Sequence, residues 1–313
     1  MSYFLKYSND MMKQFHNRGF VLERVEKCLK NFNKYCEEYY PNEKVLTKEL
    51  AEKWICSSSS KSQLYNRVIT MKYLGKYLNS LGLEAYIPNY SVKLSPHPPP
   101  TLFNNEQLSR FFYICDHITP DKRFPNREFI IPIIFRVIYS CGLRSSEACK
   151  LKVEDVDLEK GTITIFHSKG FKDRVVYMSD SLLALCKSFN NTYNRILPGR
   201  KYFFQLPYKE HLINEDICRN FNIILKKCNF SNEFAKKTTT HGLRHLFAVK
   251  SMKKCLDMGY NFDNWIKYLS QYMGHRSTKD TMYYLHLVPQ LLPEYSKKMH
   301  NFTEGIGVIY EED

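Results

Sequence analysis

A cluster of prolines constrains the fold of this chain more than any other feature. Four of the five residues from Pro96 to Pro100 are proline. Consecutive prolines cannot continue a helix, and they favour an extended polyproline geometry. We therefore expect a semi-stiff linker over residues 91–101 that separates two globular parts. The chain has 313 residues, which is enough for two domains.

The 90 residues before this linker carry a helical pattern. Apolar residues recur at helical spacing in residues 21–32, 47–55 and 64–81, and Gly82 is typical of a residue that ends a helix. We therefore expect a small helical domain over residues 1–90. Its third helix carries four basic residues: Lys61, Arg67, Lys72 and Lys76. They indicate either a basic binding face or an ordinary solvated helix surface.

After the linker, residues 102–313 predict a mainly helical domain with a small β-hairpin. Asn104 with Gln107 three residues later is a capping box, which marks the start of a helix. Residues 161–166 and 174–177 predict two strands around a turn. The other predicted helices are a buried one that ends at Ser140-Cys141-Gly142, one that starts at Ser145 or Ser146, and those over residues 182–189, 217–228, 243–256, 265–273 and 278–286. The expected fold class is mainly α with a small sheet, in two domains.

The charge balance restricts the partners of this chain. It has 46 Lys and Arg against 32 Asp and Glu, a net charge of +14. Such a charge favours a polyanionic partner, because neutralised phosphates release counterions; a merely basic protein is the alternative. Ten cysteines without a CxxC pair argue against a zinc ribbon and indicate reduced thiols in a cytoplasm. No apolar run is long enough for a signal peptide or a membrane span, so no membrane partner is expected.

Short segments of the second domain carry residues suited to the cleavage of a phosphodiester without a metal. They contain, in chain order, Arg144 with Glu147, Lys169, His241 with Arg244, His275, and Tyr284. A guanidinium holds two phosphate oxygens and stays protonated. A phenol becomes a nucleophile when nearby cations stabilise its phenolate. Each residue alone has a plainer explanation, such as a surface arginine, a turn lysine or a structural histidine.

One pair of histidines also suggests a metal. His241 and His245 form an HxxxH spacing on one predicted helix. Gly242 occupies the position where an HExxH protease has its glutamate, and no third ligand is evident. The sequence therefore predicts neither a metal site nor a cofactor.

In order and spacing, these segments resemble the catalytic domain of tyrosine recombinases, the phage integrase family. The resemblance covers residues 102–286. In that family a threonine lies three residues before the tyrosine and a histidine follows closely, which residues 281–286 match with Tyr284 and not with Tyr283. The departures are Cys141, where a threonine is common, and Arg276 after the Gly-His pair. Neither removes a catalytic group.

The resemblance implies a role for each candidate. Arg144 and Arg244 would hold the phosphate oxygens, His275 would bond a non-bridging oxygen, His241 would take the proton of the tyrosine, Lys169 would be the general acid, Glu147 would support the site, and Tyr284 would be the nucleophile. The tyrosine would leave a 3′-phosphotyrosine and a free 5′-hydroxyl, which then attacks the partner duplex. Because the ester keeps the bond energy, neither a metal nor ATP would be required.

The resemblance also implies partners. Residues 1–90 would form a core DNA-binding domain, residues 102–313 would form the catalytic domain with a C-terminal tail, and the two would clamp double-stranded DNA with inverted half-sites. Four protomers would exchange strands through a Holliday junction, with accessory proteins in some systems. The tail over residues 288–299 would pack on a neighbouring protomer or on its own domain. The expected DNA contacts are Lys61, Arg67, Lys72, Lys76, Lys172 and Arg174.

Several biological roles fit this resemblance. A high content of lysine, asparagine and tyrosine suggests an AT-rich genome and favours the integrase or transposon recombinase of a mobile element. A Xer-like dimer resolvase is the alternative within the same class. A type IB topoisomerase-like enzyme would use similar chemistry to relax supercoils. A non-enzymatic DNA-binding protein is disfavoured, because all six catalytic candidates are present.

Overall fold

The computed structural model describes residues 2–94, 101–122, 124–166 and 173–287. Residues 286 and 287 are described by their backbone alone. The chain forms two compact units, Met1–Pro98 and Pro99–Asp313. Their boundary lies among the prolines of residues 96–100. Both units are built mostly of helices, and a three-stranded sheet lies in the second. The expected fold class, mainly α with a small sheet, is confirmed.

The first unit has four helices around one apolar core. They are α1 (Phe4–Asn17), α2 (Glu23–Tyr39), α3 (Lys48–Cys56) and α4 (Lys61–Ser80). The hydroxyl of Thr47 accepts a hydrogen bond from the amide of Leu50 at 3.2 Å, and this contact begins α3. The core includes Phe32 and Trp54, whose rings pack edge to face. The sequence reasoning missed α1, although Phe4, Met11 and Met12 recur at helical spacing and are buried.

The second unit contains nine α-helices and three strands within the described residues. In chain order they are α5 (Asn105–Asp116), α6 (Arg127–Cys141), α7 (Ser145–Cys149), β1 (Val156–Asp157), β2 (Thr162–Ile165), β3 (Arg174–Tyr177), α8 (Asp180–Ile196), α9 (Asn214–Cys228), α10 (Asn232–Lys237), α11 (Thr240–Asp257), α12 (Phe262–Tyr272), α13 (Thr278–Met282) and a 3₁₀ turn (Tyr283–Leu287). The capping box predicted for Asn104 and Gln107 is present at the start of α5.

The sheet is antiparallel, with strand order β1-β2-β3. Ile163 pairs with Val176 and Ile165 pairs with Arg174. These four side chains are buried, while Val175 and Tyr177 of β3 are exposed. The two predicted strands are confirmed. β1 was missed because it has only two residues, too few for an alternating pattern.

The last predicted helix needs a correction. Residues 278–286 were expected to form one short helix, but the α-helix ends at Met282 and a 3₁₀ turn continues over Tyr283–Leu287. A 3₁₀ turn advances each residue by about 120° rather than 100°, so it changes the direction of every following side chain. This tighter turn carries Tyr284.

Two apolar clusters form the core of the second unit. One contains the buried face of α6 together with α5, the sheet, α8 and α9. The other contains α11, α12 and the ring of Tyr284. Gly142 ends α6 with a φ of 63°, and a Cβ there would lie 2.5 Å from the ring of Phe247. The turn between α6 and α7 therefore requires glycine at this position. Within the described part of the chain, none of the helices has the length and apolarity to cross a membrane.

Candidate active site

Arg144 lies where α6 turns into α7, immediately after the Gly142-Leu143 turn. Its Nη1 donates to Glu147 Oε1 at 2.8 Å, and its Nη2 donates to the carbonyl of Gly274 at 2.8 Å. Its side chain retains partial exposure. The guanidinium therefore joins the start of α7 to the turn after α12, with one side open to solvent.

Arg244 lies in the first turns of α11 and is only 1% exposed. Its Nη1 donates to the carbonyl of Gly142 at 2.5 Å, and its Nη2 donates to the carbonyl of Met273 at 2.6 Å. Desolvation and the nearby charge of Arg144 lower the pKa of Arg244 to about 10, so it remains protonated at neutral pH. One buried guanidinium thus connects three segments that are distant in sequence.

His275 follows the positive-φ residue Gly274 and lies against Arg244. Its Nε2 is 3.0 Å from Arg244 Nη2, and its Nδ1 is 2.7 Å from the hydroxyl of Thr281. A guanidinium only donates, so Nε2 is the acceptor, and Nδ1 carries the hydrogen. Desolvation and the charges of Arg244 and Arg144 lower the pKa of His275 to about 4. The imidazole is therefore neutral at pH 7.

Tyr284 points into this cluster and is 3% exposed, whereas Tyr283 is 40% exposed. The Tyr284 ring stacks on that of His275 with centroids 5.9 Å apart. Desolvation raises the pKa of the phenol, and the charge and hydrogen bond of Arg244 oppose this rise. The two adjacent tyrosines therefore have different environments, and only Tyr284 is close to the arginines.

His241 lies one helical turn before Arg244 and is exposed at the surface. Desolvation by the surrounding protein and the charges of Arg244 and Arg144 lower its pKa to about 4. Its ring packs edge to face on that of His245 at 4.5 Å between centroids. His241 is thus a neutral imidazole at the open side of the cluster.

The structure places His245, the second histidine of the HxxxH spacing, beside Tyr284. The centroids of the two rings are 5.1 Å apart. Desolvation and the electrostatic effect of His241 lower the pKa of His245 to about 3. Among the described residues, no three His, Cys, Asp or Glu side chains come together as metal ligands would.

Glu147 is the common partner of the arginines. Its Oε2 accepts from the backbone N–H of Arg144 at 2.8 Å, and its Oε1 accepts from the Arg144 side chain. Arg174 donates to both carboxylate oxygens, and Arg244 Nη1 lies 4.0 Å from Oε2. Although burial opposes ionisation, Arg174 and Arg144 lower the pKa of Glu147 to about 2. The carboxylate is therefore ionised at neutral pH.

The prediction that Arg174 contacts DNA needs a correction, because the side chain is buried. Its side chain is 6% exposed, and both terminal nitrogens are bonded to Glu147. The sequence placed it near Lys169, at the tip of a predicted hairpin, but its position on β3 turns it inward opposite Ile165. Lys169 and Lys172 lie outside the described residues.

The basic residues of α4 divide between two faces. Lys61, Lys72 and Lys76 are 11 and 4 residues apart, close to whole numbers of helical turns, so they share one side. Arg67 lies on the opposite side, where it donates to the carbonyl of Trp54 and to Ser57 Oγ and packs over the Trp54 ring. The structure therefore separates Arg67 from the other three.

Comparison with known proteins identifies the family of this chain. The model of the phage integrase family matches residues 103–290. Tyrosine recombinase XerA of Pyrococcus furiosus is 30% identical over 242 residues, which cover 76% of each chain. This chain belongs to the phage integrase family. It is a tyrosine recombinase, of the class of enzymes that cleave and rejoin DNA.

Solved structures of family members share the fold. The site-specific recombinase XerH, bound to its palindromic difH substrate, has a TM-score of 0.61 at 22% identity, over 88% of this chain and 78% of XerH. The Tn1549 transposon integrase, in complex with transposon right end DNA, has a TM-score of 0.60 at 17% identity, over 98% of this recombinase and all of that chain.

Proposed function

We propose that this recombinase acts at specific DNA sites and cleaves them through a 3′-phosphotyrosine intermediate on Tyr284. The observation that carries the proposal is the contrast between two neighbours: Tyr284 is buried among Arg244, His275 and His245, and Tyr283 faces solvent. A phenol needs adjacent positive charge to act as a nucleophile at neutral pH. Only Tyr284 has that environment.

In this proposal, Arg144 and Arg244 bind the oxygens of the scissile phosphate. Three guanidiniums, those of Arg144, Arg174 and Arg244, surround the single carboxylate of Glu147. These three positive charges exceed the negative charges of Glu147 and of the nearby Asp280, so the site is net positive. This suits a phosphate whose negative charge increases in the pentavalent state. Preorganised charge of this kind is often the largest contribution to catalysis.

His241 is the proposed acceptor of the Tyr284 proton. Its pKa of about 4 leaves it neutral at pH 7, and a neutral imidazole can accept a proton. His275 can donate to a phosphate oxygen only after it gains a proton at Nε2, which now accepts from Arg244. An arriving phosphate would favour that protonation. Lys169 remains the proposed general acid on the basis of the family resemblance.

Two groups that must meet the DNA phosphate in this mechanism are buried. Arg244 and Tyr284 are 1% and 3% exposed, and Arg244 already donates to two backbone carbonyls. A DNA phosphate cannot reach both groups while they remain covered. We therefore expect DNA binding to move the α13 segment, which carries Tyr284, so that the phenol and the phosphate can meet.

The proposed partner is double-stranded DNA with inverted half-sites, bound by four protomers that exchange strands through a Holliday junction. The palindromic substrate of XerH and the transposon-end DNA of the Tn1549 integrase support a site-specific DNA partner. The transposon neighbour favours the integrase of a mobile element. A Xer-type resolvase is the second candidate, because XerA is 30% identical to this chain. The cytoplasmic location and independence from cofactors stay predictions.

A covalent-trapping assay tests the proposal. Wild-type, Tyr284→Phe and Tyr283→Phe proteins are mixed with DNA from the locus that flanks the gene, without divalent metal, and then denatured in detergent and separated on a gel. A protease-sensitive adduct that is lost only in Tyr284→Phe is the expected result. An adduct that is lost in Tyr283→Phe instead would move the nucleophile by one residue. The absence of any adduct, despite tight DNA binding, would overturn the proposal.

A further inference from the structure

Arg174 has the contacts of a residue that organises the site. It is the first residue of β3, and its side chain enters the protein interior. Its Nη1 lies 3.0 Å from Glu147 Oε1 and its Nη2 lies 2.7 Å from Glu147 Oε2. This is a bidentate pair, whose two parallel bonds fix the plane of the carboxylate as well as its position.

The fixed carboxylate in turn holds Arg144. Glu147 Oε1 is shared between Arg174 and the side chain of Arg144, and Oε2 is shared between Arg174 and the backbone N–H of Arg144. Without the Arg174 bonds, the hydrogen bonds described for the carboxylate would be only those from Arg144 itself, one from its side chain and one from its backbone N–H. With the Arg174 bonds, Arg144 has a rigid partner and can direct its open side at a phosphate.

Arg174 also packs against the turn that leads to His275. A Cβ placed on Gly274 would lie 2.9 Å from Arg174 Nη1 and 3.2 Å from its Cζ. The carbonyl of the same glycine accepts from Arg144 Nη2. Gly274 is therefore enclosed between two guanidiniums, and the position of its turn depends on both.

We propose that Arg174 is a positioning residue for DNA cleavage, which orients Arg144 through the carboxylate of Glu147 and supports the Gly274-His275 turn. The inference rests on the proposed function. Arg174 also lies close in sequence to the proposed general acid. Lys169 is in the segment between β2 and β3, and Arg174 is the first residue of β3. The Arg174–Glu147 pair thus ties the start of β3 to α7.

The test measures two quantities of adduct formation: the rate at saturating DNA, and the DNA concentration that gives half of this rate. For Arg174→Met we expect a rate about 100-fold lower, because small displacements of catalytic groups have effects of this size. The half-saturating concentration should stay within about twofold, because a buried residue does not bind the duplex. Arg174→Lys keeps the charge but not the bidentate geometry, so it should restore only part of the rate.

Two further variants show whether Arg174 acts through Glu147. In the double variant Arg174→Met with Glu147→Gln, the rate should be close to that of Glu147→Gln alone, since residues of one network are not additive. Arg136→Met is the matched control, because Arg136 also makes a bidentate pair, with Asp116 at 2.8 and 2.7 Å, between α6 and α5. It should cleave at the wild-type rate.

Other results would overturn the inference alone or together with the proposed function. A wild-type rate in Arg174→Met overturns the inference and leaves the proposed function intact. A raised half-saturating concentration at an unchanged rate makes Arg174 a DNA contact and also overturns the inference. If Arg174→Met does not fold, a wild-type rate in folded Arg174→Lys overturns it. No adduct with the wild-type protein overturns the proposed function and this inference together.

Discussion

The Nδ1 of His275 donates to the hydroxyl of Thr281 at 2.7 Å. Thr281 is fully buried, three residues before Tyr284. The bond connects the turn after α12 to the helix that precedes the proposed nucleophile. It also explains the tautomer of His275, because Nε2 is left to accept from Arg244. One threonine thus sets the orientation of an imidazole at the site.

Replacement of this threonine should lower both activity and stability. Thr281→Val keeps the shape but leaves the buried Nδ1–H of His275 without a partner, which costs about 1–3 kcal/mol. We expect adduct formation to slow by roughly tenfold as His275 turns away. Thr281→Ser retains the hydroxyl and is the control. Equal cleavage rates for the valine and serine variants would show that the bond does not orient His275.

Gly274 should tolerate no side chain. Its φ is 65°, and a Cβ would meet the Arg174 guanidinium at 2.9 Å. Gly274→Ala should destabilise the protein by more than the ~1–2 kcal/mol of left-handed strain, and it should reduce adduct formation. Gly259 has the same φ of 65° but nothing within 4 Å of its Cβ position, so Gly259→Ala measures the backbone strain alone. Thermal unfolding of both variants makes the comparison. Equal losses would argue against a close Arg174 contact.

The histidines of the site predict how stability changes with pH. Desolvation of the rings and nearby positive charge lower the pKa of His241 and His275 to about 4 and that of His245 to about 3, below the ordinary value of 6.5. The unfolded chain therefore binds more protons than the folded one below pH 6.5, and the free energy of unfolding should fall as the pH decreases from 7 to 4.

Denaturant titrations at several pH values measure this slope. Glu147, whose pKa is about 2, should extend the loss of stability below pH 4.5, because its ionised form is favoured in the folded state. His245→Gln removes one of the titrating groups, so its curve should be flatter between pH 4 and 6.5. A slope identical to that of the wild type would mean that His245 is not buried as a neutral ring.

The shared face of α4 should bind DNA through phosphate contacts. Replacement of Lys61, Lys72 and Lys76 by glutamine should weaken binding and reduce the slope of log K against log salt by up to about 3, since each phosphate contact contributes about 1. The matched control replaces three lysines of α2 by glutamine: Lys27, Lys30 and Lys34. The same decrease in both triple variants would attribute the effect to net charge.

Much of the local structure could be predicted because its causes are local. The capping box of Asn104 and Gln107 and the two strands of the hairpin follow from spacing over a few residues. Two short elements, β1 and α10, were not predicted, because two strand residues and less than two turns of helix do not define a period. Tyr284 was chosen over Tyr283 from its neighbours in the chain, and the 3₁₀ turn that directs it inward was not foreseen.

By itself, the sequence determined which segments carry the chemistry, their order, and the family, because motif spacing is a property of the chain alone. Only the tertiary structure decided which charges meet. Arg174 bonds Glu147 across 27 residues, and Arg144 bonds Gly274 across 130. Arg67 packs over the Trp54 ring, and this contact joins α4 to α3. Whether an arginine is exposed or paired depends on contacts between distant segments, and periodicity along the chain contains no information about them.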